Sequence, residues 1–434
     1  MPKALVRLRA VSLGVFVVGV VGVLGGGAQV AGQPAAAPQR ITLEEAVGRA
    51  LARNPTLAVA LAEIDRAQAL VRQARVGYYP TVALGGSYTR LDSDRIVGGR
   101  VTADANQLAG NVTAVLPLIA PVAHADAAHA RENVRVAELG AADARRLVAQ
   151  ATARTYLSVV AQHRLVVVAE TARESAKAHY QYAHTRFTGG VGRSIDEVRA
   201  AQDLAADEAQ VQAAYAALAR VREALGVLLA EPGPVDSVDA VDLGPPPALA
   251  EALDDARTRR TDVRAQAGRV AVAQKLVDDV WVYYAPYLSA IGQPFVQTGT
   301  PVLPTAGWQA QLVLTLPLYD GGARGGVSAE RRATLTEEQA ELDSTLRQAQ
   351  SDVRVAFEAM VRADQSLAAA REAASLARRA YDLANLAYQG GATDNLQVID
   401  AASRERDADV AAAQAEDVSR QARLDLLVGS GRFP

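Results

Sequence analysis

Apolar residues recur every seven positions in the second half of the chain, and this is the period of a coiled coil. One seam position carries mainly large residues and the other mainly alanine, so that neighbouring helices can approach closely. The two seams are Leu346, Val353, Met360, Leu367, Ala374 and Tyr381, and Leu342, Ala349, Ala356, Ala363, Ala370, Ala377 and Ala384. The pattern continues for roughly 60 residues between Gly325 and Tyr388, which predicts one helix about 95 Å long.

Alternation with period two replaces the heptad between Pro80 and Pro117, and again between Pro286 and Pro317. One face of each last strand is apolar and the other is mainly polar. The apolar faces hold Trp308, Ala310, Leu312, Leu314 and Leu316 in one strand, and Leu108, Gly110, Val112, Ala114 and Leu116 in the other. The four prolines mark the strand boundaries, so the pattern predicts β-hairpins over about 81–118 and 287–318.

These predicted strands have two possible settings. Strands of about 9 to 11 residues with one apolar and one polar face suit a membrane barrel with a wet interior. The same alternation suits a small sheet that packs on the helices. A secreted chain with strand pairs at corresponding points of two long-helix units favours the barrel. Four strands cannot close a barrel, because the smallest membrane barrels use about eight, so several chains would have to contribute.

The chain is an internal duplication, because residues of its first half recur at a nearly fixed distance in its second half. Leu43, Tyr78 and Pro80 recur as Leu249, Tyr284 and Pro286, and the Leu-Pro-Leu at 116–118 recurs at 316–318. We therefore expect a first repeat over 32–230, a Pro/Gly-rich linker over 231–247 and a second repeat over 248–434. Each repeat is predicted to contain a helix, two strands, a very long helix, a tight turn and a last helix.

The N-terminus indicates export. Basic residues precede an apolar run and a small-residue stretch, which is the layout of a cleavable signal peptide over residues 1–31. The chain has no cysteine, so we expect no disulfide and no lipid anchor on a cysteine. The formal net charge is −3, which does not suggest a nucleic-acid partner.

The residue types that carry out chemistry do not gather in recognisable motifs. The histidines are His124, His129, His163, His179 and His184, and two pairs of them are five residues apart, whereas chelation from one helix face needs three or four. No nucleophile elbow or nucleotide-binding loop occurs. We therefore expect no enzymatic activity, no metal and no cofactor.

Several features resemble the TolC-like outer membrane factor family, over nearly the whole chain after residue 31. They are the opening Ile41-Thr-Leu-Glu-Glu-Ala with Asn54-Pro55, the Tyr79-Pro80 strand entry, both Leu-Pro-Leu strand exits and the two Gly-Gly pairs. The resemblance implies a fold that is mainly α with a membrane β-barrel portion, in which a homotrimer forms a helical tunnel and shares a twelve-stranded barrel.

The resemblance also implies a function and its partners. The chain is expected to be a passive outer-membrane export duct in a tripartite efflux or type I secretion system. It would receive substrate through a periplasmic adaptor from an inner-membrane transporter, with a long periplasmic portion and with its barrel in outer-membrane lipid. Two other classes stay open, a periplasmic adaptor and a non-membrane coiled-coil scaffold, although an adaptor usually has one helical hairpin and this chain has two long-helix units.

The resemblance further places a narrow aperture at the helical turns, which contain Gly189 and Gly190, and Gly390 and Gly391. Carboxylates at the family's aperture select for cations and help to keep it shut, and the candidate aperture residues are Asp400, Gln397, Asp394, Asp196 and Arg193. Some relatives have a second Asp where Gln397 stands, and an Arg where Thr393 stands, so Arg193 is a candidate substitute for that Arg. Helix capping is an equal alternative for Asp196 and Asp394.

Replacing Asp400 with Ala is expected to raise single-channel conductance and to reduce cation preference in planar bilayers, because the aperture loses negative charge. Conductance and reversal potentials in a salt gradient measure both effects. Unchanged conductance and selectivity would count against an aperture role for this residue.

Overall fold

The computed structural model describes residues 39–238, 241–301 and 303–433, so the expected signal peptide over 1–31 lies outside the described residues. The helices are α1 (Leu43–Arg53), α2 (Pro55–Arg75), α3 (Pro121–Thr188), α4 (Ser194–Leu228), α5 (Leu249–Arg259), α6 (Thr261–Asp278), α7 (Ala323–Gln389) and α8 (Asn395–Gly429). The strands are β1 (Gln39–Ile41), β2 (Thr81–Arg90), β3 (Arg95–Val97), β4 (Arg100–Ala103), β5 (Asn106–Ile119), β6 (Val235–Ser237), β7 (Tyr287–Thr298) and β8 (Ala306–Thr315).

Two very long helices dominate the fold. Helix α3 has 68 residues and α7 has 67, so each is about 100 Å long at 1.5 Å per residue. The heptad positions of α7 are buried or half-buried, and the fully buried Val353 lies where α7 meets α5 and α8. Among the described residues, no helix is both long enough and apolar enough to span a bilayer.

The first helix of each repeat is divided in two, whereas the sequence predicted one helix there. The break after α1 falls at Asn54, whose side-chain oxygen accepts the Thr56 N–H at 2.9 Å and caps α2. Pro55 follows, and the residue before a proline is forced out of the helical region. The second break is at Arg260, which is extended and forms ion pairs with Asp262 at 2.7 Å and Asp352 at 3.0 Å.

The strands of the two repeats form one antiparallel sheet in the order β2-β5-β7-β8. Strands β2 and β7 begin directly after Pro80 and Pro286, and β8 ends two residues before Pro317. Pro117 differs from the expected boundary, because β5 continues to Ile119. The β5–β7 register shifts between Pro117 and Ile119, and a proline is tolerated at such an irregularity because it cannot donate to the ladder.

The loop between β2 and β5 is longer than the loop between β7 and β8, and it forms its own small hairpin from β3 and β4. Gly98 and Gly99 make the turn with φ angles of +58° and +78°. Such left-handed angles strain residues that carry a Cβ. The extra residues of the first repeat therefore form a defined hairpin.

A two-stranded parallel sheet joins the start of the described chain to the segment between the repeats, through β1 and β6. The Tyr156 hydroxyl lies 2.9 Å from the carbonyl oxygens of Ile41 and Val238, either of which can accept its proton, and it accepts the Val238 N–H at 3.1 Å. Tyr156 is fully buried in a core that includes Leu157 and Leu225. The segment over 231–247, expected from its composition to be a linker, thus contains a buried strand.

Asp236 of β6 is a buried charge that holds this region together. Arg222 donates to its two carboxylate oxygens at 2.9 and 2.7 Å, and His163 contacts it at 2.6 Å. Burial by itself raises the pKa of Asp236, but the hydrogen bonds and positive charge of Arg222 and His163 outweigh burial and lower it. The segment between the repeats is therefore anchored to α3 and α4.

Replacing Tyr156 with Phe is expected to lower the free energy of unfolding by about 0.5–1.5 kcal/mol, because the buried Ile41 carbonyl loses the hydroxyl and keeps only its bond from the Val238 N–H. Denaturant unfolding followed by circular dichroism measures the change. Tyr319→Phe is the matched control, since that side chain is largely exposed. Equal stability of the two variants would show that the Tyr156 hydroxyl does not stabilise the pairing of β1 with β6.

Candidate functional site

The register of the four-stranded sheet collects the apolar residues of all four strands on one face. Leu84 aligns with Val112, Leu116 with Ala290, and Ala290 with Leu312. At one end this face becomes polar, with Arg90, Asn106 and Thr298. Its apolar part is Val82, Leu84, Gly86, Tyr88, Leu108, Gly110, Val112, Ala114, Leu116, Leu288, Ala290, Gly292, Pro294, Val296, Ala306, Trp308, Ala310, Leu312 and Leu314. None of these side chains is charged or carries an amide.

This apolar face is not covered by the helices of the same chain. Leu84 is 84% exposed, Trp308 is 78% exposed and Leu312 is 73% exposed. A contiguous exposed apolar surface of this kind marks a site of contact with lipid or with another protein. The alternative of a sheet that packs on its own helices, which the alternation left open, is therefore wrong.

The opposite face of the sheet is polar and its side chains bond to one another across the strands. Gln309 of β8 donates to Gln293 of β7 at 2.5 Å, and Gln293 donates to Thr113 of β5 at 3.3 Å. Asn111 donates to the same Thr113 hydroxyl at 3.2 Å. This face can border water, whereas the other face cannot do so without cost.

The helices lie side by side in the order α2, α3, α6 and α7, and the strands of the sheet lie side by side in the matching order β2, β5, β7 and β8. Helix α2 packs on α3, α3 on α6 and α6 on α7, while β2 and β8 are the two edge strands of the sheet. Exposed apolar side chains lie on the outermost helices of this row: Val59, Leu61 and Leu70 on α2, and Val355, Leu376, Leu383 and Leu386 on α7. Unpaired strand edges and exposed apolar residues thus coincide at both ends of the row.

At the other end of the long helices, two tight turns join α3 to α4 and α7 to α8. Gly190 and Gly391 have φ angles of +74° and +76°, so the second glycine of each pair is the one that requires a left-handed backbone. Gly189 and Gly390 have φ angles of −75° and −77° and do not require glycine for this reason. The N–H of Gly391 donates to the Tyr388 carbonyl at 3.1 Å.

Each charged candidate at the turns has a partner close to it in sequence. Asp394 caps α8, because its carboxylate accepts the Gln397 N–H at 3.1 Å. Arg193 contacts the Asp196 carboxylate through two bonds, at 3.0 and 3.1 Å. Asp400 is exposed and pairs with Arg404 at 3.0 Å.

The structure therefore brings Arg193 and Asp196 together, and the Asp196 carboxylate is engaged by Arg193 rather than by capping. The Gln397 side chain is exposed. Thr393, which stands where some relatives have an Arg, has a buried hydroxyl without a hydrogen-bond partner among the described residues.

A buried amide connects the two turns, and sequence patterns did not reveal it. Asn395, the first residue of α8, is fully buried. Its side-chain oxygen accepts from His179 Nε2 of α3 at 2.6 Å, and its Nδ2 donates to the Asp196 carbonyl of α4 at 3.0 Å. Burial lowers the pKa of His179, so its neutral form is favoured. No sequence spacing links residues 179 and 395, which are 216 positions apart.

Aromatic side chains surround this contact. Tyr388 of α7 lies edge-on to Tyr182 of α3 with ring centroids 5.7 Å apart, and its ring is 5.6 Å from that of His179. The Arg186 guanidinium lies 5.3 Å from the Tyr388 centroid, within the range of a cation–π interaction. Burial raises the pKa of Tyr388, which keeps its hydroxyl neutral.

A second polar cluster lies farther from the turns, between α4 and α8. Arg406 contacts the buried carboxylate of Asp207 and lies 3.9 Å from Asp203. Burial raises the pKa of Asp203, and the adjacent Asp207 carboxylate raises it further. The positive charge of Arg406 is therefore shared between the carboxylates of Asp203 and Asp207.

All five histidines have hydrogen-bond partners in the described structure. His129 contacts Asp279 at 2.7 Å, and His184 contacts Glu197 at 2.6 Å. His124 contacts a carbonyl of its own helix start at 2.8 Å. In the ranges that the structure describes, no three metal-ligating side chains gather into a cluster.

Comparisons with known proteins identify the architecture. The model of the outer membrane efflux protein family matches residues 46–231 and 252–431. A membrane protein from Pseudomonas aeruginosa has a TM-score of 0.79 at 20% identity, with 91% of each chain covered. The CmeC outer membrane channel of Campylobacter jejuni has a TM-score of 0.76 at 18% identity, with 90% of this chain and 85% of that chain covered.

The outer membrane protein VceC of Vibrio cholerae has a TM-score of 0.75 at 18% identity, with 90% of this chain and 96% of that chain covered. Comparison with curated protein sequences gives no match. The matches confirm the expected family resemblance and the expected fold class, an α-helical tunnel joined to a β-barrel portion.

Replacing Asp203 with Asn is expected to stabilise the protein at neutral pH. The folded state holds a proton on Asp203 more tightly than the unfolded state, whose pKa is near 3.8. The charged form therefore destabilises the fold above the raised pKa, and this penalty disappears as the pH falls towards 3.8. Melting temperatures across pH 4 to 8 should show a gain over the parent that vanishes in acid, whereas a gain that is constant with pH would contradict this explanation.

Proposed function

Because the chain belongs to the outer membrane efflux protein family, we propose that it is a passive duct that carries substrates across the periplasm and the outer membrane. The duct serves a tripartite efflux or type I secretion system, receives substrate through a periplasmic adaptor, and takes its energy from an inner-membrane transporter. Its barrel lies in outer-membrane lipid and its long helices lie in the periplasm.

The single observation that carries this proposal is the uncovered apolar face of the sheet. On β8 the face runs from Ala306 to Leu314 without a polar side chain. At about 3.4 Å per residue and a tilt of about 40°, the face is about 21 Å tall, which is close to the roughly 25 Å apolar band of membrane barrels. Trp308 near one end, and Trp281 and Tyr284 just before the other, are exposed aromatic residues of the kind that lie at membrane interfaces.

The unpaired edges of β2 and β8 support assembly from several copies. In lipid, unpaired backbone N–H and C=O groups are very costly, so these edges must pair. Because β2 and β8 are different surfaces, copies join head to tail and close a ring. Three copies supply twelve strands, and the exposed apolar residues of α7 then pack against α2 of the next copy.

The polar face of the sheet suits the inside of such a ring. Gln309, Gln293 and Thr113 hydrogen-bond to one another without an ionised group, so they can line a water-filled passage without binding a charged substrate tightly. This arrangement supports conduction rather than retention of substrate.

The aperture is proposed at the two helical turns. Asp400 is the carboxylate that is most available to passing ions, since it is exposed and its partner Arg404 is exposed as well. Asp394 contributes mainly by capping α8, and Arg193 and Asp196 form a pair that replaces the missing arginine at Thr393. Exposed apolar residues at the turns, Val191, Val198 and Leu396, are the surface offered to the adaptor.

The mass of the detergent-extracted particle tests the assembly. Multi-angle light scattering, corrected for detergent, should give three chains, and the particles should form channels in planar bilayers. A stable monomer would remove the basis for barrel closure. Recovery of the protein in the soluble fraction after carbonate washing would instead support the alternative of a non-membrane scaffold.

Adjacent residues of β8 allow a matched test of the two faces. Leu312→Arg should prevent assembly in the outer membrane, because a charged residue near the bilayer midplane costs about 2–4 kcal/mol. Gln311→Arg places the same charge on the polar face, so it should assemble and reduce cation conductance. Trimer yield from purified outer membranes measures both. Equal yields would contradict the assignment of the two faces.

A further inference from the structure

We propose that Asn395 is the positioning residue that holds the two helical turns together and so sets the width of the aperture. This inference rests on the proposed duct function and extends it to a specific contact within one chain. The contact joins α8 to both helices of the first hairpin, through His179 and the Asp196 carbonyl.

The geometry gives Asn395 this role because both ends of its buried amide group are bonded to the first hairpin. The side-chain oxygen takes the N–H of His179, and the side-chain nitrogen bonds to the Asp196 carbonyl, while Asn395 is fully buried and the other two residues are almost fully buried. Water cannot replace either bond without opening the contact. A buried polar group that loses its partner is more costly than the net gain from the bond it made.

The aromatic contacts of Tyr388 join α7 to the first hairpin at the turns, but the ion pairs that hold α8 to the first hairpin lie farther from the aperture. The Arg406 contact with Asp207 is 11 residues along α8 from Asn395, or about 16 Å. The Arg164 contact with Glu416 is about 32 Å along. A helix held only at those points can pivot at its end. Asn395 therefore restrains the first turns of α8, where Gln397 and Asp400 lie.

The contact also fixes the position of Asp196. Its carboxylate binds Arg193, whereas its carbonyl binds Asn395. Movement of α8 away from α4 would break the second bond and leave the first intact. The charged pair of one turn is thereby coupled to the aperture residues of the other.

The two repeats differ at this contact. At the offset of 201 that aligns the turns, Ser194 is the counterpart of Asn395 and Ala380 is the counterpart of His179. Neither Ser194 nor Ala380 is buried, and alanine cannot donate a hydrogen bond. The contact of Asn395 with His179 and the Asp196 carbonyl, called the clasp below, therefore has no equivalent at the corresponding positions of the other repeat.

The test compares Asn395→Ala with Gln389→Ala, an exposed amide at the end of α7 whose side chain contacts only Asn385 among the described residues. Hydrogen exchange of the full-length trimer should become at least about tenfold faster in the first turns of α8 in Asn395→Ala, equivalent to about 1.4 kcal/mol. Single-channel conductance should rise in the same variant. Neither quantity should change in Gln389→Ala.

Substitutions at His179 separate a clasp from general packing. His179→Gln keeps an N–H donor and should retain slow exchange, whereas His179→Ala should match Asn395→Ala. The double variant His179→Ala with Asn395→Ala should then be little worse than either single variant, because both remove the same bond. Additive effects on exchange would overturn the proposal.

The two measurements also keep the clasp and the duct apart. Exchange reports the contact whether or not the protein conducts, so a parent protein without channel activity would refute the duct and leave the clasp to be judged by exchange. A parent that conducts, with unchanged exchange and conductance in Asn395→Ala, would refute the clasp alone.

Discussion

Unpaired backbone groups on β2 and β8, together with a sheet face that is apolar except at the end near Arg90 and Asn106, constrain everything else in this protein. The helices of the same chain leave Leu84 and Leu312 exposed, so the stabilising contacts must come from outside the chain. Lipid can cover the face but cannot pair the edges. Other copies can pair the edges, and the helix row, which ends in exposed apolar residues of α2 and α7, meets the same need along its length.

The long helices extend this arrangement away from the sheet. The buried region around Tyr156 and Asp236 fixes how the helices pack near the middle of α3. There the parallel pair of β1 and β6 holds the segment between the repeats against α3 and α4. A duplicated chain needs such a connection, because the two repeats otherwise meet only through helix faces and the sheet. The strand is short, yet its carboxylate is neutralised by Arg222 and His163 and so can be buried.

At the turns, local bonds account for most of the charged residues that sequence reasoning singled out. Asp394 caps a helix and Asp196 binds Arg193, whereas the exposed carboxylate of Asp400 pairs with the exposed Arg404 one turn along α8. Contact between the hairpins depends instead on the uncharged amide of Asn395. A neutral contact is suitable in a buried place, because bringing a second ion pair there would require desolvation of both charges.

Sequence alone determined the features that depend on local periodicity: the long helices, the alternating strands, the duplication and the glycine turns. It also identified the family, since the Leu-Pro-Leu and Gly-Gly motifs and their order can be read directly along the chain. The break at Asn54 was missed although Asn54 and Pro55 are a local signal for the start of a helix. The buried strand at 235–237 was missed because its parallel partner, which includes Ile41, is far away in the sequence. Only the tertiary structure decided that the apolar strand face is uncovered and that His179 meets Asn395, because both depend on how distant segments pack.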